Sequence, residues 1–210
     1  KQVGLFDADI YGPNVPLMLG IRDERLYTMD SKMIPIKKFD MKIMSVGFIT
    51  EEDKALIWRG PLANKLIEQF LTDVDWGELD YLVIDLPPGT GDVPLSIIQK
   101  LTLSGSVIVT TPQEAAIADV LKMINMFEST QNQIYGIVEN MKYLQCPNGS
   151  DKIELFPRGE DNGGFDGFKY PTIAEFPFIP GIGNRDKSGT PFYLKNRDHE
   201  TSRSYDRLAD

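Results

Sequence analysis

Short strand-like runs, several of them continuously apolar, alternate along the chain with longer stretches whose apolar positions recur every three or four residues. The runs are Val3–Phe6, Lys42–Phe48, Tyr81–Asp85, Ser106–Thr110 and Ile134–Val138. "YLVID", "SVIVT" and "YGIVEN" lack the strict alternation of a strand with one wet face. Strands covered on both faces read this way, and such strands belong to mostly parallel sheets. Between them, "PLANKLIEQFLTDV" (61–74) opens on Pro61, a good first-turn residue, and places Leu62, Leu66, Ile67, Phe70 and Leu71 at helical spacing. A second helix is predicted over 92–102, capped by Asp92. The longest, over 113–130, carries a stripe of Ala116, Val120, Met123, Ile124 and Phe127 that reads as core. Strands alternating with helices predict a doubly wound α/β fold: one domain, a mostly parallel sheet and helices on both faces. Residues 146–171, rich in Gly, Asn, Asp and Pro, break the rhythm and read as an irregular loop excursion.

Two of the runs end on acids. "VGLFDADIYGP" carries Asp7 and Asp9, and "YLVIDLPPGTGD" carries Asp85 ahead of a glycine loop. In doubly wound folds, ligands sit at the carboxyl ends of the strands. A carboxylate there can hold Mg²⁺ through water, and glycines in the following loop let backbone amides approach a phosphate. The plainer alternative, that each acid is a helix cap or a turn residue, fits one strand end better than it fits two.

Composition narrows the partners. The 210 residues carry a formal charge of −9. Such a surface repels nucleic acid and anionic lipid, so neither is an expected partner. No apolar run approaches the ~20 residues of a membrane span, and a cytoplasmic protein is expected. Cys146, the only cysteine, excludes an internal disulfide and a four-thiolate metal site within one chain.

The segments "GLFDADIYGPNVPLMLGI", "IWRGP", "DWGELDYLVIDLPPGTGD", "VIVTTPQEAAIADV" and "GIVENM" occur in order. Together they resemble the Mrp/ApbC family of P-loop ATPases, the iron–sulfur cluster carrier branch of the MinD/ParA-type NTPases. The resemblance runs from Val3 to about Met141, resumes more weakly at "AEFPFIPGI" and "SGTPF", and touches the last helix. It implies an ATP-binding, ATP-hydrolysing carrier or assembly scaffold for iron–sulfur clusters. Members carry a G-K-G-G-V-G-K-[ST] phosphate loop upstream of the "DADIYGP" strand, and no G-K-[ST] stands in these 210 residues. The first strand, phosphate loop and first helix are therefore expected to precede Lys1, with that strand between the strands of Asp9 and Asp85. By itself, the chain is expected to be poorly stable and inactive.

The resemblance also assigns roles. Asp9 orients the attacking water, Asp7 supports the Mg²⁺ shell, and Asp85 binds Mg²⁺ through water. Gly89, Thr90 and Gly91 sense the γ-phosphate. Asn140 reads adenine, with the backbone near Pro177 and Phe178 completing the base pocket. Arg59 of "WRGP" has no assigned role: it could serve a phosphate or an interface, or be an ordinary surface residue. The family's C-P-x-C pair, from which two chains hold a 4Fe-4S cluster, is represented here by Cys146 and Pro147, with Gly149 in the second cysteine's place. A symmetric dimer then offers two thiolates instead of four. The implied partners are an identical or related ATPase subunit and apo iron–sulfur client proteins. Two other readings stay open: a MinD/ParA-like regulatory or positioning ATPase without a cluster, and a nucleotide-free interaction module.

Overall fold

The computed structural model describes residues 1–49, 60–145, 151–157, 167–183 and 188–210. They fall into two compact units, Lys1–Ile97 with Arg185–Pro191, and Ile98–Asn184 with Phe192–Asp210.

In the first unit, β1 (Val3–Asp7) is flanked by two parallel strands, β5 (Met41–Ser45) and β6 (Tyr81–Asp85). β4 (Ile36–Lys38) closes the sheet antiparallel to β5, giving the order β4-β5-β1-β6. The short helix α1 (Val15–Met18) follows β1, and β2 (Thr28–Met29) pairs with β3 (Lys32–Met33). Both antiparallel hairpins turn on residues of positive φ, Asp30 with Ser31 and Phe39 with Asp40. That conformation matches the twist of paired strands. α2 (Gly60–Thr72) buries Ala63, Ile67 and Phe70. The Phe70 ring meets Phe6 of β1 edge-on at 5.7 Å, so the helix sits on the sheet. α3 (Asp92–Lys100) begins with Asp92 inside its first turn, a place that favours an acid, although the sequence suggested a cap.

The second unit has a parallel sheet of β7 (Ser106–Thr110), β8 (Ile134–Glu139) and β11 (Thr172–Glu175), in the order β11-β8-β7. α4 (Glu114–Ser129) packs on β7 and buries Ile117, Ile124, Met126 and Phe127. Ala116, Val120 and Met123 of the expected stripe are half-buried beside them. β9 (Tyr143–Gln145) and β10 (Lys152–Glu154) form an antiparallel ribbon. β10 therefore adds regular structure within the 146–171 excursion. Of the terminal helices α5 (Phe192–Lys195) and α6 (Glu200–Ala209), the latter lies against β11, where Tyr205 stacks on Phe176 at 4.3 Å.

The structure corrects three expectations. No strand separates those of Asp9 and Asp85: β1 and β6 pair directly from Val3↔Tyr81 to Asp7↔Asp85, and their backbone groups are spent on each other. Coverage on both faces fails for β6, where Tyr81, Leu82 and Val83 are all exposed, and for β7, where Val107 and Val109 are. The reason is position: among the described residues β6 pairs only with β1 and β7 only with β8. The run 42–48 also divides. β5 stops at Ser45, and Val46–Phe48 forms a 3₁₀ turn capped by the Ser45 side chain.

Candidate functional site at the ends of beta1 and beta6

Parallel pairing brings the carboxyl ends of β1 and β6 level, and the backbone contact continues one residue further, Ala8 N donating to Asp85 O at 2.9 Å. Three acids gather there. Asp7 is 1% exposed. Its Oδ1 accepts from the Asp9 amide at 3.2 Å, and its Oδ2 accepts from the Val15 amide at 3.3 Å and the Ser45 hydroxyl at 2.8 Å. Half-buried Asp9 turns its Oδ1 back on its own loop, where it accepts the Tyr11 and Gly12 amides at 3.1 and 3.2 Å. Asp85 is the exposed member of the three.

The electrostatics reflect this crowding. Burial pushes the Asp7 carboxyl above its usual range; the bonds from Ser45, Asp9 and Val15 oppose the shift, and the charge of Asp85 adds to it. Asp85 is raised by partial burial first and by the charge of Asp9 second. Clustered carboxylates that repel one another are relieved by a cation. Mg²⁺ takes one or two carboxylates and fills its remaining positions with water and phosphate oxygens. The hard oxygen donors at this strand end fit that pattern. Among the described residues, no group of three or more His, Cys, Asp or Glu could hold a metal ion unaided. Asp7 has both oxygens occupied by protein donors, so its geometry favours holding the Asp9 loop; Asp85 presents the accessible carboxylate.

The loop after β6 is open. Gly89 has φ +86°, and a Cβ there would meet nothing within 4 Å, so backbone conformation is what calls for glycine. A Cβ on Gly91 would likewise meet nothing, and Thr90 between them is exposed. The Gly91 carbonyl accepts the Leu95 amide at 3.3 Å and ties the loop to α3.

In the second unit, Asn140 follows β8, its amide donating to Thr110 O and its Oδ1 accepting from the Met141 amide. Three backbone bonds fold residues 176–178 back onto this segment: Phe176 N to Glu139 O, Lys142 N to Phe176 O, and Phe178 N to Tyr143 O. Asn140, Pro177 and Phe178 are thereby brought together. The Lys142 ammonium bridges Glu139 at 2.8 Å and Glu175 at 2.6 Å. Burial works against that charge, but the two glutamates outweigh it and leave the Lys142 pKa raised. Cys146 and Arg59 lie outside the described residues. Sequence reasoning passed over Ser45 and Lys142. Ser45 left one usable signal, a serine interrupting an apolar run two residues before a glycine.

Parallel strands ending on carboxylates, with a glycine loop leading into a helix, mark an α/β protein with a candidate ligand site at its strand ends. The chain belongs to the ParA family, whose model described as NUBPL iron-transfer P-loop NTPase matches residues 1–210. It is 39% identical over 211 residues to the iron–sulfur cluster carrier protein of Aquifex aeolicus, covering 99% of this chain and 58% of that protein. It is 40% identical over 210 residues to the mitochondrial iron–sulfur protein required for NADH dehydrogenase of Arabidopsis thaliana, covering 99% and 66%. The chain thus spans under two thirds of each. Among solved structures, the nucleotide-binding protein of Archaeoglobus fulgidus in complex with ADP matches with a TM-score of 0.68 and 40% identity, over 85% of this chain and 70% of that one. MinD of Aquifex aeolicus matches over 100% and 82% with a TM-score of 0.64, a likeness of fold at 20% identity.

Proposed function

We propose that the complete protein binds and hydrolyses ATP and carries a 4Fe-4S cluster to apo client proteins. It works in the cytoplasm as a homodimer, or as a heterodimer with a related ATPase. The observation that carries this reading is the Asp7–Asp85 register pair with Asp9 beside it, in a chain whose relatives are named iron–sulfur cluster carriers. Bound at Asp85 through water, Mg²⁺ offsets negative charge on the phosphates. Asp9 orients the attacking water, and Asp7 supports the metal shell by keeping the Asp9 loop in place. The amides of Gly89, Thr90 and Gly91 serve the γ-phosphate. Catalysis of this kind is mostly positioning and charge stabilisation. Asn140 both donates and accepts, which suits the edge of adenine, and the backbone of Pro177 and Phe178 borders the base. The cluster is cargo, and Cys146 is the one thiolate that these 210 residues bring to it.

The test is anaerobic purification of the complete gene product, with iron and sulfide analysis and ATP turnover measured in wild type and Asp85→Asn. Stoichiometric iron and sulfide, with turnover that needs Mg²⁺ and is lost in Asp85→Asn, is the expected result. Turnover without any cluster in wild type or after reconstitution overturns the carrier assignment; a cluster without turnover overturns the ATPase assignment.

A further inference from the structure

Ser45 is fully buried, and its one hydroxyl is used twice. The oxygen accepts the Gly47 amide at 3.0 Å. An amide N–H can only donate, so the hydroxyl hydrogen is left for Asp7 Oδ2, 2.8 Å away. The direction of that bond is therefore set by the backbone. The other donors to Asp7, the Asp9 and Val15 amides, stand further off at 3.2 and 3.3 Å. Strand pairing places the two side chains together, since Asp7 and Ser45 are register partners on β1 and β5. Gly47 keeps the turn close: a Cβ there would lie 3.1 Å from Pro16 Cγ and 3.3 Å from Ser45 Oγ.

We propose that Ser45 is a positioning residue for the strand-end site, its hydroxyl locking the Asp7 carboxylate so that Asp7 holds the Asp9 amide and Asp9 is aimed. The bonds run in series from Gly47 N to Ser45, from Ser45 to Asp7, and from the Asp9 amide to Asp7, with the Asp9 carboxylate then collecting Tyr11 and Gly12. Hydrogen bonds to an ionised acceptor are the strong ones, so losing the shortest of the three releases the carboxylate most. The catalytic consequence rests on the ATPase reading above; the structural link between Ser45 and Asp9 does not.

The experiment compares Ser45→Ala, Ser45→Thr and Ser45→Cys in the complete gene product. It reads ATP turnover at saturating Mg²⁺, affinity for a fluorescent ATP analogue, thermal midpoint, and the ¹H–¹⁵N signals of Asp9 and Val15. Ser45→Ala is expected to lower kcat about tenfold while analogue affinity stays within about twofold. It also shifts the Asp9 and Val15 amide signals. Ser45→Thr keeps the hydroxyl and restores both readouts, and Ser45→Cys, a weaker donor of similar size, falls between. Amide signals that stay in place in Ser45→Ala overturn the proposal, as do equal kcat losses in all three variants or a loss that follows the thermal midpoint. A wild type without turnover overturns the proposed function instead, and the amide signals still decide the role of Ser45.

Discussion

Asp7 and Asp85 face each other as register partners on adjacent parallel strands, the first buried under three hydrogen-bond donors and the second exposed at the same strand end. A fold that sought only stability would not place two acids there, with Asp9 raising the Asp85 pKa further. The arrangement makes physical sense as a seat for positive charge.

This seat has a pH signature. The Asp7 and Asp85 carboxyls are raised above 3.8 in the folded chain, so between that value and their folded pKa the folded chain binds protons more tightly than the unfolded one. Stability contributed by these groups therefore falls as pH rises through that window and stays lost at neutral pH. Asp85→Asn removes the Asp85 share and its repulsion with Asp9. Its thermal midpoint is expected to exceed that of wild type at pH 7, with the two converging below about pH 4. Calorimetry across that range checks this; a midpoint at or below wild type at pH 7 contradicts it.

The 188–191 segment meets α1 through two glycines. Gly189 has φ +64°, and a Cβ there would fall 2.2 Å from Leu19 C and 2.3 Å from Gly20 N. Backbone cannot retreat as a side-chain tip can, so Gly189→Ala is expected to cost about 2 kcal/mol or more. Gly183→Ala, whose methyl meets nothing within 4 Å, is the control and is expected within about 0.5 kcal/mol of wild type. Urea unfolding of the two variants gives the comparison.

Phe70 joins α2 to the sheet. It is fully buried against Phe6, and truncation leaves a cavity that neither element can close. Phe70→Ala is expected to lose about 3–5 kcal/mol, and Phe70→Leu clearly less. Equal losses in both would place the energy in the ring contact instead of the filled volume.

On the proposed function, Asn140 reads the base. Asn140→Ala in the complete gene product is expected to weaken ATP binding about tenfold and to narrow the preference for ATP over GTP. Calorimetric titration with both nucleotides reads this directly. Unchanged selectivity would return Asn140 to a role as a residue that ends β8.

Much of this protein was legible in its sequence. β1, β6 and β7 are found where apolar runs predict them, and α4 follows the stripe that ends at Phe127. These features survive because apolar periodicity is local. The two tight hairpins were not legible. Neither Asp30-Ser31 nor Phe39-Asp40 is an Asn-Gly or Asp-Gly pair, and pairing with the neighbouring strand imposes their positive φ. Ser45 looked like the middle of a strand because its partner, Asp7, lies far away in sequence and becomes its neighbour only through the register of β1 and β5.

The sequence by itself determined five of the strands and three of the helices, the mostly parallel character of the sheets, the acids at two strand ends and the family. Each is carried by residues close together along the chain. Tertiary structure alone decided that β1 lies directly against β6, that β6 and β7 leave apolar side chains exposed, that Gly189 crosses Gly20, and that the Ser45 hydroxyl belongs to Asp7. These depend on which distant segments exchange backbone hydrogen bonds, and a strand's own apolar pattern is the same whichever neighbour it takes.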